Sequence, residues 1–164
     1  MKFDSIWAEK YILNELSFYN INVIEWSDSD SGLAWCSERL VKIPKPTTQN
    51  RFMICLHEIF HIARFSAHKR LKVYEYEFDC EMWTIFKAKT LGLKTKEYEQ
   101  GAKGYVAYCL SRAYNRGLDL KKVNQNIIKW LGIDVNNWES YDRVYVTTNQ
   151  SWKDWKINLI NTNR

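Results

Sequence analysis

The sequence predicts an α+β fold, mostly helical, with a small N-terminal antiparallel sheet packed on one buried helix. Three observations carry this expectation. Short β-type segments (Ile21 to Trp26, Leu33 to Cys36 and Leu40 to Ile43) cluster in the first third of the chain. From Phe52 onward the apolar residues recur at helical spacing over much longer runs. Glycines at 92, 117 and 132 then punctuate those runs as helix-ending residues do.

The elements follow in order. Asp4 or Ser5 caps a first helix reaching about Phe18, with Trp7, Tyr11, Ile12 and Leu16 on its apolar side. The polar run Ser27-Asp28-Ser29-Asp30-Ser31-Gly32 reads as the turn of a hairpin joining the first two strands. It lacks the downstream glutamate of a calcium-binding EF-hand loop. After Pro44 and Pro46, one of Thr47, Thr48 or Asn50 caps a helix that is apolar nearly all round from Phe52 to Phe65. Further helices are expected over Tyr74 to Leu91, Thr95 to Asn115 and Asp119 to Trp130. A short strand over Ser140 to Thr148 and a last helix carrying Trp152, Trp155 and Leu159 complete a single domain of 164 residues.

The central helix carries the chemistry. His57-Glu58-Ile59-Phe60-His61 places two of the chain's three histidines at i and i+4, on one helical face, where both imidazoles reach one cation. Glu58 lies between them and can hydrogen-bond a water on that cation without being a ligand. Burying such groups in an apolar helix is costly unless they are bonded or coordinated, and Zn2+ meets that need.

A catalytic zinc site takes a third protein ligand, and His68, Glu75, Glu77 and Asp79 are near in sequence, with Glu81 further on. His68 falls one residue late for the His-Glu-x-x-His-x-x-Gly-x-x-His pattern, and Arg64 stands at its glycine. Helical phase, at about 100° per residue, sorts the acids. Glu75, Phe78, Asp79, Met82, Ile85 and Phe86 share one largely apolar stripe, whereas Glu77, Glu81, Thr84 and Ala88 lie opposite. Glu75, in the middle of the apolar stripe, needs a partner there and is assigned as the third ligand, with Asp79 as support for a ligand histidine, while Glu77 and Glu81 are solvated.

The run Asn50-Arg51-Phe52-Met53-Ile54-Cys55-Leu56-His57-Glu58-Ile59-Phe60-His61 resembles the Arg-Phe-x-x-Ala-His-Glu-x-x-His segment of the ImmA/IrrE-like zinc peptidases. Glu75-Tyr76-Glu77-Phe78-Asp79 is similar to the Glu-x-x-Ala-(Asn/Asp) element of that family and of other gluzincin-type peptidases, whose first acid maps onto Glu75. The resemblance spans about residues 33–92 and departs at Cys55-Leu56, Phe60 and Phe78, where the family has small residues. It implies a zincin-like fold and a zinc-dependent peptidase. Its substrate would be a protein or peptide, such as a repressor-like regulator on a mobile element.

Composition limits the alternatives. Eight Trp, ten Tyr and seven Phe exclude a disordered chain. No stretch approaches the roughly 18 apolar residues of a membrane span, and the start Met-Lys-Phe-Asp-Ser-Ile-Trp lacks a signal-peptide core. A cytoplasmic setting is therefore expected, and four cysteines without paired spacing fit a reducing one. The net charge of +5 is spread along the chain and fits solvated helix faces better than a nucleic-acid surface. Two other classes compete with the peptidase: a zincin-fold binding module without catalysis, and a nucleic-acid-binding regulator using the Asp119 to Trp130 helix. Intact Glu58 argues against the first. The want of a short glycine turn between two helices argues against the second.

Overall fold

The computed structural model describes residues 3–136. The segments expected at 140–148 and around Trp152, Trp155 and Leu159 lie outside the described residues. The elements run α1 (Ser5–Phe18), β1 (Asn22–Ser27), β2 (Leu33–Trp35), β3 (Leu40–Pro44), α2 (Gln49–Ala63), α3 (Phe65–His68), α4 (Val73–Thr90), α5 (Lys96–Tyr114) and α6 (Gln125–Leu131). The fold is thus α+β and mostly helical. Two compact units divide it: Met1–Lys72 with Asp79–Tyr98, and Val73–Phe78 with the chain from Glu99 onward. Helix α4 is one unbroken element contributing residues to both.

In the first unit, Asp4 caps α1 by accepting from the backbone N–H of Ile6 and Trp7, and Ala8, Ile12 and Leu16 form its buried stripe. Of the residues expected on that face, Trp7 is partly exposed. Thr48 caps α2 by accepting from Arg51 N–H at 3.2 Å. Helix α2 packs against α1, β2 and β3. Covered on nearly every side, it buries Phe52, Met53, Leu56, Ile59 and Ile62, together with His57 and Glu58.

The sheet is mixed, with order β1-β3-β2: β1 runs parallel to β3, and only β2 is antiparallel to it. This corrects two expectations, the purely antiparallel sheet and the hairpin at residues 27–32. Strand β3 takes the centre because Val41 and Ile43 are both fully buried, whereas β1 and β2 have mostly uncovered edge patterns. The hairpin lies one connection later, between β2 and β3. Its turn holds Arg39 at φ 56°, tied by donation from Nε to the carbonyl of Asn20 at 3.1 Å.

The segment 27–32 instead carries the chain from β1 across to β2. Hydroxyls of Ser27, Ser29 and Ser31 bond in series at 2.6 and 2.9 Å. Arg51 of α2 clamps the same segment, donating from Nε to Asp30 Oδ1 and from Nη2 to the carbonyl of Asp28, each at 2.6 Å. A polar run that reads as a turn is therefore a strap fastened to the central helix.

The second unit has its own core, with Tyr74, Val106, Leu110, Leu120, Ile127 and Leu131 at its centre. The helix expected from Asp119 to Trp130 is two pieces, a 3-10 turn at Leu120–Lys122 and α6. Val123 is extended between them, and Asn124 starts α6 by accepting from Asn126 N–H at 2.9 Å. Two capping side chains, Asp119 and Asn124, thus interrupt one apolar periodicity. Among the described residues, no helix is long and apolar enough to cross a membrane, and no disulfide joins the four cysteines.

Candidate metal centre

The site begins with the phase of α4, which is the reverse of the expected one. Its buried residues are Tyr74, Glu77, Cys80, Glu81, Thr84, Ile85 and Ala88. The stripe read as apolar holds residues that are partly or largely uncovered: Glu75, Asp79, Met82 and Phe86, the last 65% exposed. Counting apolar residues misleads here because the inward face carries the polar side chains, and Phe78 and Phe86 turn away from it. Glu75 is accordingly not in the cluster formed with the two histidines. Glu77, two residues on and 5% exposed, takes its place.

His57 and His61, one turn apart on α2, bring their Nε2 atoms to 2.9 Å. A ligand atom from each, together with a carboxylate oxygen of Glu77, lies within 4.8 Å of the others. Two imidazoles and a carboxylate are a donor set found in catalytic zinc sites.

Two side chains of α4 face the outer nitrogens of the rings. His57 Nδ1 lies at ion-pair distance from Glu81 Oε1, 3.3 Å, and His61 Nδ1 hydrogen-bonds with Cys80 Sγ at 3.2 Å. Glu81 is 5% exposed and also hydrogen-bonded by the hydroxyl of Tyr98. Burial and the charge of Glu81 push the Tyr98 phenol well above its usual range, with Glu58 and Cys80 acting the same way. Tyr98 therefore stays a donor to Glu81.

The two contacts use opposite nitrogens of the His61 ring, Nε2 toward His57 and Nδ1 toward Cys80 Sγ. The residues present fit a divalent metal, which His57, His61 and Glu77 would hold.

Asp79, expected beside a histidine of the His57–His61 pair, instead accepts from His68 Nε2 at 2.8 Å. The carboxylate at ion-pair distance from His57 is Glu81, which the helical phase had placed in solvent. Glu58 lies on the same helix, 9% exposed, with its side chain against the backbone of Gly32. A Cβ at residue 32 would stand 2.4 Å from Glu58 Cγ and 2.8 Å from its Oε1, so only glycine permits this approach. Gly32, Glu77, Glu81 and Tyr98 are the site residues that sequence reasoning missed. The one signal for Gly32 was its place at the end of a polar run, where it reads as turn chemistry. Phe60, at a position where the resembled family has glycine, stacks on Trp83 at 4.3 Å and stiffens the packing of α2 on α4.

Compared with known proteins, the chain matches no family model, no curated protein and no solved structure.

Proposed function

We propose that this chain is a zincin-like zinc metallopeptidase that hydrolyses a peptide bond in a protein substrate. The observation that carries the reading is the convergence of His57, His61 and Glu77 beside a buried glutamate, Glu58, that stands outside the ligand cluster. A helix bearing both histidines and packed on a small sheet, with an acid supplied by a later helix, agrees with the resemblance to ImmA/IrrE-like peptidases. The acid is Glu77 instead of the mapped Glu75.

Zinc held by His57, His61 and Glu77 would lower the pKa of a water and polarise the scissile carbonyl. Glu58 takes the attacking water's proton and delivers it to the leaving amine. Gly32 lets the Glu58 side chain lie against its backbone, and the Arg51 clamp holds Asp28 and Asp30 of the segment that ends at Gly32. Glu81, held by Tyr98, places its carboxylate 3.3 Å from His57 Nδ1. The substrate class is a repressor-like regulator, as the resemblance implies.

The test is Glu58→Gln, which preserves shape and removes the base. Zinc-loaded wild type and variant are incubated with a regulator encoded beside this gene. Cleavage by wild type, reduced about 10²–10⁴-fold in the variant with zinc retained, is the expected result. Binding by both without cleavage would favour a non-catalytic zincin-fold module, and equal cleavage by both would remove Glu58 from the mechanism.

A further inference from the structure

His61 belongs to a second cluster, entirely within the first unit. His61, His68 and Cys80 each offer a ligand atom, and these atoms lie within 4.8 Å of one another. His68 and Cys80 are buried. Two imidazoles and a thiol form a softer donor set than two imidazoles and a carboxylate, and it suits zinc or copper(I). Asp79 accepts from His68 Nε2 at 2.8 Å, which fixes the ring's proton there and leaves Nδ1 as its lone pair.

We propose that His61, His68 and Cys80 form a second, alternative cation site that competes with the His57–His61–Glu77 site for His61. The competition follows from the two nitrogens of one ring. His61 Nε2 lies 2.9 Å from His57 Nε2, and His61 Nδ1 lies 3.2 Å from Cys80 Sγ. A cation in the first site would need the Nε2 lone pair, with the ring hydrogen on Nδ1; the ring stays neutral and releases no proton. A cation in the second site would need the Nδ1 lone pair, with the ring hydrogen on Nε2. Cys80 would then release its thiol proton to solvent as it becomes a thiolate ligand. A neutral imidazole has a single lone pair, so His61 serves one site at a time. The second position contains neither Glu77 nor His57. A cation held there is out of the donor set proposed for catalysis, and the pair of sites makes His61 a tautomeric selector between two placements.

Cobalt(II) added to the full-length, reduced, metal-free protein under anaerobic conditions tests this directly. Wild type should show sulfur-to-cobalt charge-transfer absorption in the near-ultraviolet as well as visible d–d bands, with saturation at one ion per chain. Cys80→Ser should lose the near-ultraviolet band and keep the d–d bands, whereas Cys55→Ser and Cys109→Ser should keep both. Glu77→Ala should strengthen the thiolate band by shifting cobalt to the second site, and His68→Ala should weaken it at least severalfold. Circular dichroism checks that each variant remains folded. Visible bands without thiolate absorption in wild type would overturn this inference and leave the first site standing. A thiolate band that survives Cys80→Ser would also overturn it, and absence of any cobalt binding would reject both sites. Saturation at two ions per chain would overturn the competition.

Discussion

A carboxylate that is 5% exposed is expensive to hold in a folded protein, and Glu77 and Glu81 both meet that description on one face of α4. Their surroundings explain why they are tolerated. Glu81 is answered by His57 and Tyr98, and Glu77 lies with the two histidines whose inner nitrogens converge. In the proposed site the first acid is a ligand, and the second stands 3.3 Å from the outer nitrogen of a ligand ring. Glu77→Ala should cost more zinc affinity than the roughly 10–100-fold typical of losing a group that only supports a ligand. Glu81→Gln should fall within that range, and Glu75→Ala should change affinity less than about threefold. Competition titration against a chelating dye measures all three. A Glu75→Ala loss exceeding that of Glu77→Ala would restore the phase that periodicity suggested.

At the scale of elements, what could be read in advance depended on whether side-chain polarity and burial agree. They agree along α2, where the apolar run, the Thr48 cap and the burial of His57 and Glu58 follow from the residues themselves. They agree again at the Asp4 cap of α1 and at Gly92 and Gly132, which end α4 and α6 with φ of 74° and 72°. They conflict along α4. A helix built around a polar site turns its acids inward, so apolar periodicity points away from the core. Strand order was illegible for another reason. Short strands do not encode which neighbour they pair with, and the strap at 27–32 is long enough either to turn or to cross. The strap offers its own test. Gly32→Ala should push the flexible Glu58 side chain aside at a modest cost in stability, about 1–2 kcal/mol. Zinc should remain bound, and peptide cleavage should fall toward the level of Glu58→Gln. Unimpaired cleavage by Gly32→Ala would mean that the close approach does not position the base.

For the whole molecule, two buried acids set the behaviour at high pH. Burial pushes both the Tyr98 phenol and the Cys55 thiol above their ordinary values of 10.0 and 9.0. Below about pH 8 both groups are protonated in folded and unfolded chains and contribute no pH dependence. Above that, the unfolded chain releases protons that the folded chain retains, so stability falls as pH rises. Denaturant midpoints should therefore decline from about pH 8 upward. Tyr98→Phe should flatten the decline above about pH 10, once its lower starting stability is taken into account. A midpoint that rises with alkalinity would contradict the burial of these groups.

The central claim is that this buried cluster is a metal site, and metal content of the untagged protein, purified without added zinc, tests it most directly. One zinc per chain is predicted for wild type, with loss in His57→Ala, His61→Ala and Glu77→Ala and retention in Glu75→Ala. Metal-free wild-type protein that stays fully folded, and gains no thermal stability from zinc supplied in excess, would contradict the account.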